Sequence, residues 1–440
     1  MKGLRSFLVL LIVAAGLGGY LYYDSKREPS NPNKLEKVFP ALQSDKIDKV
    51  TVKSDKGETT TVQKQGAGWQ LTQPVATGAD ESELSGITSN LASMEVQRVV
   101  DDQPGDIKQY GLDPARIEVA FASGGKEHKV LLGQKTPTGS DMYAKLPDKP
   151  RVFLISSYLD TTFNKSTFDL RDKTILKIDR EKTDRLEIQT SDHTLKLAKQ
   201  GSDWKIASPV EARADFGAIE GILGRLNSAP MKSIVATDVT DPTDKRLKDF
   251  GLDKPEITVH VGAGSSQAGL AIGKTAAEGT VYAKDLSRPM VFTVEKALAD
   301  ELKKSSDDFR VKDLFDARSF NTTRLDITYK GQTLAFARDK DTWKQMAPAN
   351  KAADSAKMDA LLTALTGARA TTFADKVTAT GLESPELTVT VKYEDGQKQE
   401  KVSFARRGTD VFARREGDAS AAKLDAGQLA AIEKAIDAVK

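Results

Sequence analysis

The chain holds three tryptophans in 440 residues, and all three stand in the same local sequence. Trp69 lies in WQLTQP, Trp204 in WKIASP and Trp343 in WKQMAP. Five residues after each Trp comes a proline (Pro74, Pro209, Pro348), eleven after comes an aspartate (Asp80, Asp215, Asp354), and twenty-two after comes a leucine (Leu91, Leu226, Leu365). Three ungapped offsets in three copies mean internal duplication. The Trp-to-Trp spacing of 135–139 residues is domain-sized, well beyond the roughly 20–50 residues of a solenoid repeat.

The likeness extends downstream. Gly111-Leu112 with Pro114, Gly251-Leu252 with Pro255 and Gly381-Leu382 with Pro385 each lead into an alternating run, IEVAF, ITVHV and LTVTV. Tyr143, Tyr282 and, more faintly, Phe412 mark a further shared strand. The reading is three tandem domains, at 46–178, 184–317 and 323–440.

Within a unit, period-two segments around short turns such as Asp55-Lys56-Gly57 predict hairpins, and the Trp strand follows, ended by its proline. Asp80, Asp215 and Asp354 stand where a helix N-cap is wanted, ahead of apolar residues at helical spacing: Leu84, Ile87 and Leu91; Ile219, Ile222, Leu223 and Leu226; Met358, Leu361, Leu362 and Leu365. A short helix closes each unit. The predicted fold class is α+β, with mainly antiparallel sheets and packed helices.

The N-terminus reads as a membrane signal. Residues 1–6 form a short basic tail through Lys2 and Arg5, and Phe7–Tyr23 runs for 17 residues without a charge, near the lower limit for a spanning helix. Tyr20, Tyr22 and Tyr23 close it as interfacial rings do. Small residues from Ala14 to Gly19 also admit a cleaved secretory signal. The apolar run continues to Tyr23 and favours an uncleaved anchor over 7–23, a cytoplasmic tail and a linker over 24–45. The bulk of the chain is then expected outside the cytoplasm.

Composition narrows the chemistry. Lys and Arg number 65 against 63 Asp and Glu, which argues against nucleic acid as partner. With no cysteine, thiol catalysis, disulfides and Cys-ligated metals are excluded. His128, His193 and His260 are far apart in sequence, so no metal pair is expected. Gly273-Lys274-Thr275 imitates the end of a phosphate loop, but Ala268 stands where its first glycine belongs and a strand follows, so no nucleotide is expected. Trp69, Trp204 and Trp343 read as apolar anchors under their helices, and Gly111, Gly251 and Gly381 as shared turn positions. The repeated aspartates read as caps, because no second carboxylate recurs beside them to form an acid–base pair. No catalytic, cofactor-binding or metal-ligating residue is therefore expected.

One charged motif recurs at the unit boundaries. Arg171-Asp172-Lys173-Thr174-Ile175-Leu176 matches Arg310-Val311-Lys312-Asp313-Leu314-Phe315. It reads as a strap, with Arg171, Lys173, Arg310 and Lys312 bridging to a neighbour while the apolar pair packs; a role in partner binding is the alternative. Repeat three ends without it.

The anchor, the tandem β-rich units with the Trp strand, the Gly-Leu-x-Pro turn and the Arg-x-Lys strap resemble the domain-of-unknown-function 4340 family over nearly all of the chain beyond the anchor. The resemblance implies an exported accessory subunit beside an ABC-type permease, its ATPase and a gliding-motility-type auxiliary membrane protein, in a bacterial inner membrane with its domains periplasmic. It supplies no catalytic residue. The expectation is a non-enzymatic scaffold. The competing readings are a cell-wall or glycan binder using exposed Tyr143, Tyr282 and Phe412, and a cryptic hydrolase.

Overall fold

The computed structural model describes residues 35–277, 279–340 and 342–440. The anchor at Phe7–Tyr23 lies outside the described residues, as do the cytoplasmic tail and the first part of the linker. Among the described residues, no helix is long and apolar enough to cross a membrane. The chain divides into two compact units, the first ending at Lys173 and the second running from Thr174 to Lys440.

The first unit is built on one nine-stranded antiparallel sheet. Its spatial order is Thr77–Gly78, Gly68–Gln73, Thr59–Gln65, Ile47–Lys53, Ile117–Ser123, Lys126–Lys135, Asp141–Lys145, Val152–Ser156 and Arg98–Asp101. The second unit contains two sheets of nine strands that repeat this order element by element. One runs from the edge strand Ala212–Arg213 to Ser233–Ala236, the other from Lys351–Ala352 to Thr372–Ala374. The predicted hairpins, Trp strands and mid-unit helices are all present.

The Trp strand and its helix form the centre of each core. Trp69, Trp204 and Trp343 are buried. Asp80 accepts from the Ser82 and Glu83 N–H groups, Asp215 from Ala218 N–H and Asp354 from Lys357 N–H, which opens the helices Glu81–Ser93, Phe216–Ser228 and Ser355–Thr366. The predicted apolar residues of all three helices are buried against their sheets. Each such side chain contributes about 1.5–3 kcal/mol by leaving water.

The shared glycines have steric causes. Gly111, Gly251 and Gly381 all adopt the left-handed conformation, which costs glycine nothing and other residues roughly 1–2 kcal/mol. Gly133 and Gly273 sit in strands where a Cβ would collide with the carbonyl oxygens of Tyr110 and Phe250. The glycine of Gly273-Lys274-Thr275 therefore admits a close backbone crossing within the strand Ser266–Thr275.

Candidate functional site

In repeats one and two the recurring polar groups converge on the straps. Each strap has two halves with different partners. The first half extends the sheet of its own repeat. In the first unit, Asp172 N–H donates to Gly78 C=O at 2.8 Å and Asp80 N–H donates to Leu170 C=O at 2.9 Å. In the second unit, Val311 N–H donates to Arg213 C=O at 3.0 Å and Asp215 N–H donates to Phe309 C=O at 2.7 Å. These are the same two bonds, made on edge strands of two residues.

The second half of a strap lies along the next repeat. Asp313 bridges Arg369, Leu314 N–H donates to Ala368 C=O at 3.2 Å, and Leu314 and Phe315 are buried in the core of repeat three. Thr174 bridges Pro230 in the same manner, with Ile175 and Leu176 buried. Thr174, Ile175 and Leu176 thus belong to the second unit, although the sequence boundary at 178 assigns them to repeat one.

The predicted strap residues separate by role. Arg310 is only 2% exposed. It crosses from repeat two into repeat three, with its guanidinium 4.7 Å from the Phe373 ring centroid, 3.2 Å from Asp375 Oδ1 and 3.4 Å from Ser420 Oγ. Arg171 is buried at the equivalent place in the first unit. Lys173 turns back to its own repeat, donating to Asp80 Oδ2 at 2.8 Å and to Asp169 C=O at 2.7 Å. Burial would raise the Asp80 pKa, but the hydrogen bonds from Lys173 and the helix N–H groups outweigh it and hold the carboxyl below its usual range. Lys312 is half-buried, and its carbonyl accepts from Ala370 N–H at 2.8 Å.

The joint between repeats two and three contains residues that the sequence reading did not single out. Glu400, 3% exposed, accepts from Asp316 N–H at 2.9 Å and Ala317 N–H at 3.0 Å. Asp316 lies between Arg213 Nη1 at 2.8 Å and Arg415 Nη1 at 2.7 Å. Burial opposes ionisation of Asp316, but Arg415 and Arg213 outweigh it and lower its pKa. Asp418, at 4.0 Å from Arg213, is raised because its burial exceeds the help of its cations. Where Thr174 and Ile175 join repeat two, the clamp has the opposite polarity. Arg288, oriented by Asp285 at 2.8 Å, donates to Thr174 C=O at 2.8 Å and Ile175 C=O at 2.6 Å.

The first unit has a counterpart that sequence matching overlooked. Lys34-Leu35-Glu36-Lys37-Val38-Phe39 aligns with Arg310–Phe315. Lys37 pairs with Glu95, and Val38 N–H donates to Met94 C=O at 2.9 Å, as Leu314 does to Ala368. The clamp differs. By strand register His128 stands opposite Phe121 as Glu400 stands opposite Val391. The counterpart of Asp316 is Pro40, which has no N–H to offer a carboxylate. His128 instead stacks on Phe121 at 5.1 Å, with Phe39 edge-on, beside an open cleft of about 880 Å³ rimmed by Lys49, Lys126 and Lys149.

The remaining candidates have local roles. Tyr143 packs on Tyr110 at 4.8 Å and Tyr282 on Phe250 at 5.0 Å, and these rings and Phe412 are half-buried rather than exposed. His193 is also partly buried, at 3.2 Å from Thr190 Oγ1. Among the described residues, no group of three or more His, Asp or Glu is arranged to hold a metal ion.

No curated protein matches the chain. The family described as Domain of unknown function (DUF4340) matches residues 69–205 and 204–385. Both matched segments start at a repeated Trp; the first ends beside Trp204, and the second passes Trp343 and ends at Pro385. The chain belongs to the DUF4340 family.

Proposed function

We propose that this protein is a membrane-anchored, extracytoplasmic scaffold without chemistry of its own, serving as an accessory subunit of an ABC-type export system of the gliding-motility kind. The observation that carries the reading is the structural use of its repeated caps and of the charged residues at its joint. Asp80, Asp215 and Asp354 cap helices. Arg310, Arg213, Arg415 and Glu400 fasten one repeat to the next. Residues held in caps and joints serve to keep domains in a fixed order, which is what a spacer or platform requires.

The apolar run Phe7–Tyr23 supports the anchor, and the resemblance in layout supports the transporter partners. The pairing of Tyr143 with Tyr110 and of Tyr282 with Phe250 takes support from a glycan-binding reading, which needs open ring faces.

The test is affinity purification of the tagged full chain from gently solubilised native membranes, followed by mass spectrometry. A permease and its ATPase in stoichiometric yield are expected. Recovery of the chain alone under conditions that keep other transporters intact would overturn the reading.

A further inference from the structure

The edge that receives a strap occurs three times. It is Thr77-Gly78-Ala79 in repeat one, Ala212-Arg213-Ala214 in repeat two and Lys351-Ala352-Ala353 in repeat three. A strap lies on the first two, and Ala79 and Ala214 are buried there at 8% exposure each. In repeat three, Ala352 is exposed and Ala353 only partly buried.

The third edge keeps the hydrogen-bonding geometry of its sisters. Ala353 N–H turns inward to Trp343 C=O at 2.9 Å, as Ala79 N–H does to Trp69 C=O at 3.1 Å and Ala214 N–H to Trp204 C=O at 3.2 Å. Alternation along a strand then turns Ala352 C=O and Asp354 N–H outward. Their equivalents, Gly78 C=O with Asp80 N–H and Arg213 C=O with Asp215 N–H, are the groups the straps engage. Among the described residues, no backbone group engages this pair in repeat three. The acid is also in place. Asp354 Oδ1 accepts Lys357 N–H at 3.0 Å, while the second oxygen of its counterpart Asp80 holds the strap lysine, Lys173.

We propose that the edge Lys351–Asp354 is a strand-addition site that takes an extended segment of a partner protein with strap chemistry: an apolar residue, an arginine, any residue with an N–H, then a lysine. The apolar residue's carbonyl accepts from Asp354 N–H. The third residue's N–H donates to Ala352 C=O, and the lysine pairs with Asp354. Main-chain bonds supply the attachment, and the lysine supplies register and selectivity. A two-residue edge carrying a lysine is of the kind proteins leave solvated. What sets this one apart is that both sister edges, with the same geometry, are covered. The inference does not depend on the transporter reading, because its assay contains no transporter.

The test uses the full chain and a synthetic peptide with the sequence of residues 166–174, whose lysine pairs with the cap aspartate in its own repeat, read by residue-resolved amide hydrogen exchange. The peptide is expected to slow exchange of Asp354 N–H by about tenfold or more at saturation. An Asp172→Pro peptide, which lacks the donor N–H, is expected to leave it within about twofold. Asp354→Asn in the chain, which keeps an N-cap, is expected to weaken the native peptide about threefold. No slowing at Asp354, or equal slowing by the proline peptide, would overturn the site. Slowing that rises with concentration of the chain alone, and is relieved by dilution, would assign the edge to a second copy and overturn the partner assignment.

Discussion

The guanidinium of Arg310 lies over the ring of Phe373, so a charged side chain that leaves repeat two is stacked on the last edge strand of repeat three. The joint is held by a buried cation and an aromatic face as well as by the strap backbone. Truncation by Arg310→Ala is expected to cost about 2–4 kcal/mol, from the lost stacking, the lost pairing and the vacated volume. Arg310→Met, which restores volume without charge, is expected to recover at least half of that. Thermal unfolding of the full chain followed by calorimetry separates the two. Equal losses for Ala and Met would show that charge, not packing, holds the joint.

Glu400 presents both carboxylate oxygens to backbone N–H groups of the incoming strap. Glu400→Ala leaves the N–H groups of Asp316 and Ala317 without their acceptor, at a cost of about 1–3 kcal/mol for each one that stays dry. The amide exchange of Asp316 and Ala317 is expected to accelerate together, with little change at Gly78 or Ala79 in the first unit. Unchanged exchange at both amides would remove the clamp assignment.

Gly133 and Gly273 make one steric prediction. A methyl at either position meets a backbone carbonyl, so Gly133→Ala and Gly273→Ala are each expected to cost about 1–3 kcal/mol or more by overpacking. Gly221 is exposed in the helix Phe216–Ser228 with open space about it. Gly221→Ala is expected to stabilise by about 0.5–1 kcal/mol. Chemical denaturation of the three variants checks the contrast, and a neutral result at Gly273 would contradict the close crossing.

Asp80 gives a pH dependence with a defined sign. Its folded pKa lies below the 3.8 of an unperturbed carboxyl, so the unfolded state binds the proton more readily. The stabilisation is fully present above about pH 4 and is lost as pH falls through the lowered folded value. The helix Glu81–Ser93 of the native chain is expected to be better protected than that of Asp80→Asn at neutral pH, with the difference closing as pH falls through the lowered folded value. A difference that widens on acidification would have the wrong sign.

Legibility in the sequence followed how each feature is written. Trp69, Asp80 and Leu91 recur at fixed offsets because a strand, a cap and a helix face leave no room for insertion, and that pattern alone predicts the core of each repeat. The straps were visible as Arg-x-Lys, but of their charged side chains Arg310 crosses to the next repeat whereas Lys173 turns back to its own. The extra copy at 34–39 was not visible, because it keeps the apolar pair Val38-Phe39 while its charges are rearranged. Glu400 was hidden for a different reason. The same strand position carries His128 in repeat one and Ala268 in repeat two, so each joint is clamped by its own chemistry and repetition has nothing to report. Edge strands of two residues, such as Ala212–Arg213, are too short for any period to register.

The division of each strap between two repeats also orders events during synthesis. A chain that emerges N-terminus first completes the sheet of repeat two when Phe309–Val311 reaches the edge at Arg213. Leu314 and Phe315 emerge a few residues later, before any strand of the repeat whose core they enter. From that moment until roughly a further hundred residues have followed, the growing chain carries an uncovered apolar pair at its leading joint. The interval is set by where the strap is cut between domains, and it marks that joint as the place where a chaperone would be needed.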